Sequence, residues 1–110
     1  MLSHPLPDEC LDNIDQIVEY KNGHIDLNII SYGFLDNSEF TMEKLTAKIN
    51  TYLDALETPD FQEDFGKRTA ENTTIKLIYK PEPHPDIIAL LENIQNMVKN
   101  YGATLKWEHL

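Results

Sequence analysis

Residues 82–86 read Glu-Pro-His-Pro-Asp, and an imidazole with a carboxylate two positions to either side is a conceivable metal-ligand set. Pro83 and Pro85 stiffen that loop, and Asp86 has a sufficient role at the start of a following helix, so no metal ligand is assigned. Cys10 is the only thiol, which excludes an internal disulfide and a Cys-based zinc site. No Lys or Arg precedes Lys21 to lower its pKa. Glu63 and Asp64 are adjacent carboxylates in a solvated segment, without the desolvation that raises the pKa of a catalytic acid. The four glycines form no phosphate-cradling cluster. These residues lead to an expectation of no catalytic group and no cofactor, and the chain reads as a non-enzyme.

Recognition is the chemistry that remains. Phe61 and Phe65 are four positions apart, so one helical turn would set them side by side, and Asp60, Glu63 and Asp64 lie around them. Exposed, the two rings would form a docking surface for a basic partner. Folded inward, they would cap the edge of the core, and the sequence leaves both readings open. The formal net charge of -10, with nine Lys and Arg against 19 Asp and Glu, argues against nucleic acid and anionic membrane as partners and is compatible with a basic protein.

These residues are positioned by elements whose periods can be read. Residues 1–11 hold Pro5 and Pro7 and no clear period, which suggests a flexible lead-in, with a single α/β domain over 12–110. MLSHPLPDECLD has neither a basic n-region nor an apolar h-region, and the longest apolar runs are a few residues, so a cytoplasmic protein is expected. Asn22-Gly23 between β-prone runs predicts a two-residue type I′ hairpin turn. That turn sets Tyr20 opposite Ile25, Val18 opposite Leu27 and Gln16 opposite Ile29 on the core face, and leaves Ile17 on the reverse face. A helix follows from Met42 to Leu56, capped by Thr41 or Ser38 and stopped at Thr58-Pro59. Residues 57–68 read as an acidic loop. Thr73–Lys80 alternates as a strand, Pro85 opens a second helix that ends at Gly102, and Ala103–Leu110 forms a last strand.

The expected architecture is α+β, a two-layer α/β sandwich of order β-β-α-β-α-β with two helices on one sheet face. The far face would then carry Ile17, Ile30 and Ile78, a candidate surface for self-association into a homodimer.

The segments IDQIVEYKNGHIDLNI, EKLTAKINTYLDAL, TTIKLIYKPEP and YGATLKW resemble an uncharacterised bacterial family of about 110-residue proteins, a domain of unknown function. The distinctive part is the helix pattern L-x-x-KIN-x-YL, here Leu45, Lys48-Ile49-Asn50 and Tyr52-Leu53. The resemblance implies the fold and no activity. In that family the loop before the first helix carries a His- and Trp-containing segment; GFLDNSEF here has neither, so no role carries over. The leading expectation is a protein-interaction domain, in its narrowest form an immunity- or antitoxin-like inhibitor of a basic partner. A small-ligand or metal-binding domain, open to an enzymatic role and using the His84 loop or a pocket under Tyr79 and Trp107, is the alternative.

Overall fold

The computed structural model describes residues 15–110, so the lead-in at 1–11, with His4 and Cys10, lies outside the described residues. The chain runs β1 (Gln16–Glu19), β2 (Ile25–Ser31), α1 (Glu39–Leu56), α2 (Pro59–Phe65), β3 (Thr73–Tyr79), α3 (Pro85–Asn100) and β4 (Thr104–His109). The strands form one sheet of order β1-β2-β3-β4. β1 is antiparallel to β2, whereas β2-β3 and β3-β4 are parallel, as helical crossovers require.

Alternation along the strands decides which face is covered. Ile25, Leu27 and Ile29 of β2, Ile75 and Leu77 of β3 and Leu105 of β4 are all buried. Against them α1 lays Leu45, Ile49, Tyr52, Leu53 and Leu56, and α3 lays Ile87, Leu91 and Val98, each at helical spacing. Full burial of each such side chain contributes roughly 1.5–3 kcal/mol. The expected two-layer arrangement is present.

Two expectations need correction. The acidic loop contains a helix: the Thr58 hydroxyl accepts from the Phe61 N–H at 3.3 Å, and Pro59 occupies the first turn of α2. Thr58-Pro59 thus ends one helix and starts the next, because a hydroxyl N-cap followed by proline is also a start signal. The hairpin turn is also longer than expected. Tyr20 donates to the His24 carbonyl at 2.9 Å, Gly23 donates to the Tyr20 carbonyl at 3.0 Å, and Gly23 alone in the turn has positive φ, at 90°. A type I′ turn needs positive φ at Asn22 as well, so the loop is three residues with glycine in the left-handed position. The register therefore shifts by one, to Glu19↔Ile25, Ile17↔Leu27 and Gln16↔Asn28. A shift of one residue exchanges the faces of the whole strand. Ile17 lies on the helix side with Leu27, not on the far face with Ile30 and Ile78.

The start of β1 is fastened to α1 through side chains one helical turn apart. Lys48 is 1% exposed, and its ammonium lies 2.8 Å from Asp15 Oδ1. The Tyr52 hydroxyl accepts from the Asp15 N–H at 2.8 Å and donates to the Asn28 carbonyl at 2.9 Å. Asp15 Oδ2 accepts from the Ile30 N–H at 3.0 Å, beyond the last β1-β2 pair. The KIN-x-YL pattern is thus the stripe of α1 that packs on the sheet and carries this fastening. Tyr52→Phe keeps the packing and removes a doubly bonded buried hydroxyl, so it should lower stability by roughly 1–3 kcal/mol, read from the urea midpoint. An unchanged midpoint would show the hydroxyl to be dispensable.

Candidate functional site

Two clusters stand outside the core. The first lies on the far sheet face, where the three-residue turn folds Tyr20 and His24 over Asp26. Asp26 is 5% exposed and its carboxylate faces three partners. The Tyr20 hydroxyl donates to Oδ2 at 2.8 Å, the Lys76 ammonium lies 3.2 Å from Oδ2, and His24 Nε2 lies 3.3 Å from Oδ1. His24 Nε2 also lies 3.0 Å from Thr74 Oγ1, and Lys76 lies 3.5 Å from Glu108. These groups line a shallow cavity of about 310 Å³.

The cluster holds protons more firmly than it moves them. The hydrogen bond from Tyr20 to Asp26, and then the charge of Asp26, push the phenol above its ordinary value. Burial works to lower the Lys76 pKa, but the hydrogen bond and charge of Asp26, with Glu108, outweigh it and raise the net value. Both shifts favour the protonated forms, an ammonium at Lys76 and a phenol at Tyr20.

The second cluster lies at the carboxyl end of the parallel strands, where loop-borne sites gather in α/β sheets. Ser31, Tyr79 and His109 end their strands in register, tied by Lys80 N–H to the Ser31 carbonyl at 3.0 Å and Leu110 N–H to the Tyr79 carbonyl at 2.8 Å. Just beyond them Tyr32, Phe34 and Leu110 are exposed by 68%, 52% and 61%. Leu35 is fully buried, and its carbonyl accepts from the His84 N–H at 2.9 Å. Asn37 Nδ2 donates to Asp86 Oδ2 at 3.2 Å, so the loop after β2 is joined to the start of α3. Between them runs an open groove of about 550 Å³. Phe34, Pro83, Pro85, Ile88 and Ala89 give it apolar walls, Glu82 and Glu92 are its carboxylates, and His84 completes the lining.

His84 is engaged in the fold: its Nδ1 accepts from the Asp86 N–H at 3.0 Å as the N-cap of α3. Among the described residues no group of three or more His, Cys, Asp or Glu is placed to hold a metal ion. No helix among them is long and apolar enough to cross a membrane.

A family model described as "Family of unknown function (DUF6572)" matches residues 9–110. The chain belongs to the DUF6572 family. Membership supplies a family and no activity. No curated protein and no solved structure matches the chain.

In this DUF6572 protein the five residues of the acidic segment divide. Phe61 and Phe65 lie with ring centroids 4.6 Å apart, half-buried and packed against the core. Asp60, Glu63 and Asp64 are exposed. Ile30 and Ile78 are register partners and half-buried on the far face, without Ile17. Tyr79 and Trp107 pack against the core from the helix-covered side. The sequence reading missed the Asp26 cluster and the Phe34 groove. A usable signal for the first was present, since IDLNII and TIKLIY each place an opposite charge inside an apolar strand. Pairing them needed the β2-β3 register.

Two measurements follow from these placements. Raised folded-state values for Tyr20 and Lys76 mean that their contributions are full below the ordinary values of 10.0 and 10.5 and are lost as pH climbs through the higher folded values. The urea midpoint should therefore fall in that alkaline range, and Asp26→Asn should flatten the fall; an identical slope in the variant would count against the cluster. Phe65→Ala should cost about 2 kcal/mol, whereas Asp60→Asn should stay within about 0.5 kcal/mol of wild type. Equal, negligible effects would return Phe65 to the surface.

Proposed function

We propose that this DUF6572 protein is a non-enzymatic protein-interaction domain whose partner is basic. The observation that carries the reading is the surface at the carboxyl end of the strands. There Tyr32 and Leu110 are exposed, and the exposed Phe34 lines an apolar groove whose formally charged lining residues are Glu82 and Glu92. Exposed aromatics next to an apolar trough, rimmed by one sign of charge, are the composition of a docking site. The chain's formal net charge of -10 would steer a cationic partner toward it. The raised pKa values of Tyr20 and Lys76 support the non-enzymatic half of the reading, because in the Asp26 cluster both groups are held protonated at neutral pH. In its narrowest form the protein is an immunity- or antitoxin-like inhibitor that covers a basic effector.

A second reading, a small-ligand domain, draws on the far-face cavity beside Asp26. It is the weaker one, because both Asp26 oxygens already face Tyr20, His24 and Lys76.

Affinity capture from the native host with wild type and Phe34→Ser separates the readings. A basic protein retained by the wild type and lost from a Phe34→Ser variant of unchanged melting temperature is the expected result. Retention by both would move the interaction away from this surface.

A further inference from the structure

We infer that the groove between the Phe34 loop and α3 is a socket for an arginine side chain of the basic partner, a specification that rests on the interaction reading above. Pro85, Ile88, Ala89 and Glu92 fall at i, i+3, i+4 and i+7, so they form one stripe of α3. That stripe adjoins the one that buries Ile87, Leu91 and Val98, and its Ile88 is half-buried and packs against the core as well. The apolar surface of α3 therefore extends from the core past Ile88 to the exposed Pro85 and Ala89 in the groove, and ends there in the carboxylate of Glu92. Glu82 supplies a second carboxylate from the loop after β3, and Phe34 supplies a half-exposed aromatic ring.

An apolar trough, an aromatic face and two carboxylates match one side chain in particular. The aliphatic stem of arginine would lie along Ile88 and Ala89. Its planar guanidinium would stack on Phe34 and donate charge-assisted hydrogen bonds to Glu92 and Glu82. A purely apolar anchor would leave carboxylates beside it desolvated and unpaired, which is costly. Lysine could reach the same carboxylates but would present a point charge without a stacking plane. The chain already uses this chemistry internally: the exposed ring of Phe40 has the Lys44 ammonium 5.2 Å from its centroid. Among the described residues Phe34 has no such cation, and the groove lining contains no Lys or Arg.

The test is an NMR titration of the full ¹⁵N-labelled chain with acetyl-Gly-Arg-Gly-amide and its lysine and citrulline counterparts. Saturable shifts at Phe34, Ile88, Ala89 and Glu92 are expected with arginine, about tenfold weaker binding with lysine, and no saturation with the uncharged citrulline. Phe34→Ala and Glu92→Gln, both at exposed positions, should each weaken the arginine peptide about tenfold at unchanged melting temperature. Neutralising Asp60, Glu63 and Asp64 together should leave the affinity as it was. Equal response to citrulline and arginine would overturn the socket, as would loss of binding in the α2 triple variant instead of the Phe34 variant. If the arginine peptide fails while Phe34→Ser still releases the host protein, the socket falls and the interaction reading stands. If both fail, the reading falls with it.

Discussion

Asp15 is the point on which the hairpin, and with it the division between the two sheet faces, depends. Its side chain is held by the Lys48 ammonium at 2.8 Å, its other oxygen takes the Ile30 N–H, and its own N–H goes to the Tyr52 hydroxyl. β1 is a four-residue edge strand and has little register preference of its own. The Asp15 contacts fix one end of the hairpin, and Gly23, with φ of 90°, fixes the turn at the other. Both ends agree only on the register that pairs Ile17 with Leu27. Slipped by one residue, β1 would move Ile17, 36% exposed, to the far face and break the Gln16 contact to the Asn28 side chain, 2.7 Å in length.

The protein's negative excess is compositional, 19 Asp and Glu against nine Lys and Arg, and some of those cations also serve as internal donors. Lys48 is committed to Asp15, and Lys76 to Asp26 and Glu108. Arg68 donates to the Phe65 carbonyl at 2.9 Å, the Gly23 carbonyl at 2.8 Å and Thr73 Oγ1 at 3.0 Å. It therefore joins the end of α2, the hairpin turn and the start of β3. Burial lowers its pKa, yet a guanidinium remains charged across the physiological range. These three cations serve as structural donors, Lys21, Lys67, Lys80, Lys99 and Lys106 are exposed, and Asp60, Glu63, Asp64, Glu82 and Glu92 stay on the surface.

What could be read from the sequence followed local rules. The 3.6-residue period of α1 and α3, the proline and glycine at the ends of α3 and the alternation of β3 are each decided within a few neighbouring residues. Of the two caps weighed for α1, Ser38 is the one used, accepting from the Thr41 N–H at 3.2 Å. The failures were of two kinds. Asn22-Gly23 fits both a two-residue and a three-residue turn, and the choice is made by what holds β1 elsewhere. The Asp26 cluster and the Phe34 groove join residues far apart in the chain, such as Asp26 with Lys76 and Asn37 with Asp86, so no window of sequence contains them. The aromatic-and-acid combination read at Phe61 and Phe65 has its rings turned toward the core, and a comparable combination occurs around Phe34.

The polarity of the carboxyl end argues further about the kind of partner. Helix N-termini converge there, and their free N–H groups and positive dipole ends ordinarily favour anions such as phosphate. In this chain those positions are filled from within. Ser38 caps α1 while its own N–H and hydroxyl go to Asp36 Oδ1 at 3.0 and 2.7 Å, and Glu39 sits in the first turn. At α3, His84 Nδ1 takes the Asp86 N–H, and the Asp86 carboxylate stands beside it. The dipoles are thus met by side chains that add negative charge, and Glu82 and Glu92 add more along the groove. An incoming phosphate would find the Thr41 and Asp86 N–H groups already taken and carboxylates in its path. The acids at hand and the exposed ring of Phe34 are the local features on which the proposed cationic contact draws.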